Sequence, residues 1–245
     1  MRTLNPALRD KSFLTYDPAN VNAGKMTIQG TVNKTGILMI ILSITAIWIW
    51  NHAALNPEGI FPIMMISAIA GLITAIITIF KKKWAGITAP IYAGLEGLVV
   101  GSISALVDMQ YPGIALQAVL LTACILFSLL AAYKSRLIKP TENFKLGVVA
   151  ATGGILFIYF FSFIFQMFGL PVGFIHDSGP IGIGFSLVIV VIAALNLVLD
   201  FDFIENASEA GAPKYMEWYG AFGLMVTLIW LYLEILRLLT KLQRK

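Results

Sequence analysis

Five carboxylates fall within or at the ends of long apolar runs, and each is a place where a proton or a cation could be held: Glu96, Asp200, Asp202, Glu217 and Glu234. An ionised carboxylate in hydrocarbon costs at least about 2.5 to 3.5 kcal/mol on insertion scales, so each should face protein or water and is a functional candidate by default. Glu96 lies deepest, about ten residues from either end of its run. It is expected either to line a pore or the bundle interior, or to persist as a neutral, hydrogen-bonded structural carboxyl. Asp200 and Asp202 occur in Leu199-Asp200-Phe201-Asp202-Phe203. Two residues apart, they point about 200° apart around a helix and cannot share one partner. Asn196 lies one turn before Asp200 and Asn206 one turn after Asp202, which gives each a polar neighbour. Either both acids mark the membrane boundary, or one points inward, where burial and a nearby lysine pull its proton affinity in opposite directions and make a proton-sensitive latch. Glu234 has Arg237 three residues on, the spacing of a local ion pair, and its place near the end of the last run reads as an interfacial salt bridge. Glu217 opens that run, where the helix macrodipole favours a negative charge.

The elements that position these acids follow from composition. Of 245 residues only 12% are charged, against roughly 25% in an average soluble protein. The hydrophobic fraction is 58% and the mean hydropathy +0.85, more apolar side chain than a water-soluble fold of this size can enclose. A soluble globular enzyme is therefore excluded. The net charge of +4 is divided among loops and carries orientation rather than nucleic-acid affinity. Seven apolar stretches, at 36–53, 59–80, 86–107, 113–134, 146–168, 181–204 and 216–239, are each long enough to cross a bilayer as a helix. They are continuously apolar, whereas barrel strands would alternate over about ten residues. The fold class expected is all-α, a polytopic membrane protein with seven transmembrane helices. Residues 1–35, interrupted by Pro6, Pro18, Gly24 and Gly30, form a non-spanning arm, and 36–245 the transmembrane domain.

Loop charges orient the array. The arm is net positive, the second connection holds Lys81, Lys82 and Lys83, and the fourth holds Lys134, Arg136, Lys139 and Lys145 against Glu142. The intervening connections carry Glu58, Asp108 and Asp177 with no Lys or Arg. This alternation places the N-terminus in the cytoplasm. The tail opposes it, because seven spans would leave Arg237, Lys241, Arg244 and Lys245 outside. Ala93, Gly97, Gly101 and Ala105 recur every four residues, a small-residue stripe that lets a neighbouring helix approach. Trp48, Trp50, Trp84, Trp218 and Tyr219 lie near span ends, as an interfacial belt requires. His52 and His176 fall in outer connections as solvated loop residues, and the single Cys124 builds neither a disulfide nor a thiolate site. No phosphate loop, dinucleotide fingerprint, HExxH or GxSxG motif occurs, so neither an enzyme nor a cofactor is expected.

Several stretches, taken in order, resemble a known family: Asn5-Pro6-Ala7-Leu8, Met26-Thr27-Ile28-Gln29-Gly30, Tyr92-Ala93-Gly94-Leu95-Glu96-Gly97, Tyr111-Pro112-Gly113 running on to Thr122, Phe201-Asp202 and Leu231-Tyr232-Leu233-Glu234. The chain is similar to the Bax inhibitor-1 family, which includes the bacterial YccA-type and the eukaryotic lifeguard proteins, and within it to the bacterial branch. The resemblance implies an inner-membrane protein with its C-terminal helix at the centre of the other six, and a pH-sensitive calcium leak. In that family two membrane aspartates share a proton and link to a basic residue at the cytoplasmic end of span two. Asp202 matches the first, and Lys81 to Lys83 stand where the basic residue is found. Matching letters selects Glu234 for the second, whereas aligning helix ends selects Thr227. Asp200, Glu96 or Glu217 are the other carboxylates that could fill that role.

Three functions are thereby in view. The first is a cation leak, with calcium permeant and held transiently near Asp202 or Glu96, closed by Asp202 paired with the span-two lysines. The second is a proton-coupled transporter using Glu96. The third is a regulatory membrane protein whose arm binds a protease or partner subunit. The lipid bilayer is a partner in all three; nucleic acid in none.

Overall fold

The computed structural model describes residues 24–169 and 178–244. Most of the arm, including Asn5-Pro6-Ala7-Leu8, together with His176, Asp177 and Lys245, lies outside the described residues. Among the described residues seven long helices follow one another: α1 Ile28–Leu55, α2 Ile60–Phe80, α3 Ala85–Gln110, α4 Ile114–Lys134, α5 Glu142–Met167, α6 Pro180–Glu209 and α7 Met216–Gln243. All seven are long and apolar enough to cross a membrane. Their ends use local chemistry. Thr27 and Thr141 cap α1 and α5 with side-chain oxygens that accept from Gly30 N and Phe144 N. Gly113 takes the left-handed φ of 87° at the tight turn into α4.

One boundary departs from the expected one. The arm was expected to run to residue 35, with Gly30 breaking helical pattern, yet α1 begins at Ile28 and Gly30 lies in its first turn. The reason is tertiary. A Cβ on Gly30 would stand 2.2 to 2.6 Å from the Glu217 carboxyl atoms, so the glycine leaves room for that carboxylate and does not mark a break.

Two compact units make up the chain. One consists of the described part of 5–110 together with Asp200–Val226. In it α3 is the shared element, packed on both α1 and α2. The small-residue stripe works as expected. A Cβ on Gly97 would fall 1.9 Å from Thr45 Oγ1 and 2.4 Å from Leu42 O, and one on Gly101 would fall 2.5 to 2.7 Å from Ile49 and Ala46. The α1 and α3 backbones can be this close only because these positions lack side chains. On its other side α3 meets α2 through hydroxyls, Thr78 donating to Thr88 at 2.7 Å.

The other unit holds Tyr111–Leu199 and Thr227 onward, within which α4, α5, the earlier part of α6 and the later part of α7 contribute core residues such as Ala118, Ile155, Ala193 and Leu231. Across the seven helices, α7 is the most enclosed: 61% of its apolar window is buried, against 17 to 44% for the rest. By contrast Ile44 and Ile47 on α1, Ile66 and Leu72 on α2, and Phe157 and Phe163 on α5 are more than half exposed, apolar faces suited to lipid.

Candidate functional site

The densest polar cluster lies where α1 and α7 begin. The Glu217 carboxylate is buried, and its Oε1 accepts from both the backbone N–H and the hydroxyl of Thr27, each at 3.0 Å. Its Oε2 takes the ammonium of Lys34. The Thr27 hydroxyl in turn accepts from Gly30 N at 2.9 Å. One carboxylate therefore sits in the first turn of its own helix and at the N-terminus of a second, where both macrodipoles favour negative charge. The helix-start role expected of Glu217 is thus only half of what it does. Beside it, Met26 N donates to Ala212 O at 2.7 Å and Lys214 N to Gly24 O at 2.8 Å, an antiparallel bridge that binds the entry to α1 to the connection between α6 and α7.

Aromatic rings extend this cluster. Lys34 Nζ lies 5.5 Å from the Trp218 ring centroid, and Lys82 Nζ lies 5.5 Å from that of Tyr219. Tyr219, expected in an interfacial belt, is fully buried; Trp48 and Trp84 are more than half exposed, as belt residues should be. Of the three span-two lysines, Lys81 and Lys83 are exposed while Lys82 is half-buried and turned onto α7. Asp200 and Asp202 occupy the part of α6 belonging to this unit, Asp200 buried and Asp202 half-buried. Asn206 Nδ2 donates to the backbone carbonyl of Asp202 at 2.6 Å.

Glu96 is half-buried on α3 and faces α2: its Oε1 would be 3.5 Å from a Cβ built on Gly71. Tyr92, one turn earlier and itself buried, brings its hydroxyl against the same carboxyl. The Tyr92 ring is set edge-on against Phe222 at 5.0 Å between centroids, which fixes its direction.

The remaining candidates belong to the other unit. Glu234 is paired with Arg237 at 3.0 Å, as the three-residue spacing predicts, and is 2% exposed. Tyr159 on α5 donates to Glu234 Oε1 at 2.9 Å and is also hydrogen-bonded by the Arg237 guanidinium. Asn196, expected beside Asp200, instead donates to Thr152 Oγ1 and to Ile192 O, both at 2.8 Å, because its amide turns to the buried hydroxyl on α5. Thr227 is buried on α7. Lys241 is buried too and donates to Gly182 O and Ser186 Oγ. Two of the four basic tail residues are consequently engaged within protein, which weakens the tail as an orientation signal. His52 also differs from expectation: it lies inside α1, stacked on Trp48 at 5.6 Å.

Glu217 and Lys34 thus meet, as do Glu234 and Arg237, and Lys82 reaches Tyr219; Glu217 takes its cation from α1 and not from span two. Sequence reasoning missed Thr27, Lys34, Tyr92 and Tyr159 as partners of these acids. Thr27 carried a signal, a hydroxyl residue immediately before a helix. Tyr159, inside a Phe-rich run, carried none.

Seven helices long and apolar enough to cross a membrane define an integral, polytopic helical membrane protein. Residues 5–244 match the family described as Bax inhibitor 1 like, and the chain belongs to that family. Neither a curated protein nor a solved structure matches it.

Proposed function

We propose that the protein is a pH-sensitive cation leak pathway, with calcium as the permeant ion, closed by Asp202 paired with the lysines after α2. The observation that carries this reading is the inward seat of Lys82, half-buried over the buried Tyr219 ring in the same unit that contains Asp202. A lysine serving only as a loop charge would extend into solvent with Lys81 and Lys83. Family membership supports the same reading, and carboxylate oxygens suit calcium. Protonation removes the charge of Asp202 and its hold on the ammonium, so lowering the pH moves the closed-to-open equilibrium toward open.

The test is calcium flux into proteoliposomes across a pH series. Flux through the native protein rises as the pH falls, whereas Asp202→Asn gives flux that no longer follows pH. An unaltered pH profile in that variant overturns the proposal.

A further inference from the structure

The face between α2 and α3 carries chemistry that the gate does not use. Apart from Pro62, every α2 residue other than Ser67, Gly71, Thr74 and Thr78 is an apolar side chain, and these four recur at i, i+4, i+7 and i+11 along one face. Ser67, Gly71 and Thr78 are buried. Opposite them α3 presents Thr88, Tyr92 and Glu96, again one turn apart, with Thr78 and Thr88 hydrogen-bonded. This polar face of α2 is turned to α3, and Gly71 on it lies against the Glu96 carboxyl. Glu96 itself lies roughly 16 Å from the start of α3 at 1.5 Å per residue, well inside a bilayer-spanning helix.

Among the described residues Glu96 makes no ion pair, and α2 has no ionisable residue at all. On α1 the ionisable groups are Lys34, held by Glu217, and His52, stacked on Trp48. The α7 segment of this unit adds Glu217 and Tyr219, with Lys82 over the latter, and the α6 segment adds Asp200, Asp202, Glu205 and Glu209. On α3 the neighbours are Tyr92 and Asp108. A membrane-depth carboxyl without a counter-cation is expected to exchange its charge for a proton. Glu96 is not fully enclosed by protein.

We propose that Glu96 is a reversible proton-binding site between α2 and α3, lined by the hydroxyl face of α2 and separate from the Asp202 gate. Tyr92 donates to the ionised form and so sets how readily the proton is released. The site would hold its proton at low pH and present an anion, bonded by Tyr92, at high pH.

Dicyclohexylcarbodiimide, an apolar carbodiimide, tests this directly. It reacts with a protonated carboxylic acid: the carboxyl oxygen bonds to the carbodiimide carbon, the acid proton passes to nitrogen, and no group leaves. The native protein in lipid nanodiscs is treated from about pH 6 to about pH 9 and the adduct is located by peptide mass spectrometry. The expected result is an adduct on Glu96 that declines about tenfold per pH unit once the group ionises. Glu217 and Glu234, paired with cations, serve as internal controls that stay unlabelled. Glu96→Gln removes the adduct, and Tyr92→Phe moves its decline to higher pH because the anion has lost a donor. Absence of label on Glu96 at every pH overturns the proposal, as does label that stays constant with pH, which would mark a permanently neutral structural acid. The native pH profile decides the matter even if a variant fails to fold. Labelling is read at Glu96 alone, so its failure leaves the flux test of Asp202 intact.

Discussion

Helix α7 carries two buried acids that look alike in sequence and differ in what they join. Glu217 and Glu234 are each about 2% exposed and each faces a cation. Glu234 finds its cation one turn along its own helix, and that cation is 40% exposed. Glu217 finds its cation on α1, more than 180 residues away in sequence, where Lys34 is 15% exposed, and it also binds both donors of Thr27. In the first pair only the cation is open, since the Glu234 carboxyl is itself enclosed. In the second both partners are largely enclosed. Burial alone therefore does not rank these acids; the connectivity of their partners does.

The comparison can be broken or sharpened by variants. The largest effect is expected from Glu217→Ala, which strands Lys34 and two donors of Thr27. Removing one member of a buried pair costs about 3 to 5 kcal/mol, read as a lowered unfolding midpoint in detergent. A loss no greater than that of Glu234→Ala would erase the distinction. Next comes the double variant Glu217→Gln with Lys34→Met. With the two charges gone together, most of that loss should be regained, and a double-mutant cycle should give a coupling energy of about 1 to 3 kcal/mol. Coupling near zero would mean that the Thr27 donors, and not Lys34, hold the acid. The smallest effect is expected from Tyr159→Phe, which removes one donor to a charged acceptor and should cost about 1.5 to 3 kcal/mol at most, less where Arg237 moves in to compensate.

The sequence made some of this legible and hid the rest for physical reasons. Seven spans are visible because continuous apolar runs about a bilayer long have few other uses. The α1 to α3 contact is visible too, since Ala93, Gly97, Gly101 and Ala105 fall on one helical stripe whatever the partner. The start of α1 is not. Ile28 to Thr35 is mostly polar, with a glycine that local propensity counts against helix, and its N-terminus is completed by Glu217 from the far end of the chain. Tyr219 is misread for a related reason: an aromatic residue near a span end has the composition of an interfacial anchor, and only packing shows that it is buried under Lys82. Asn196 lies on the same turn pattern as Asp200, yet its amide follows Thr152, a hydroxyl on another helix. Helical spacing reports which residues share a face. It is silent on which helix that face meets.

The Glu217 clasp also bears on how the protein is made. Translation delivers the first helix long before the residue that satisfies its leading amide and its lysine. The bond between Lys34 and Glu217 therefore forms only after α7 has been synthesised, so the opening turn of α1 is completed by one of the last helices to emerge.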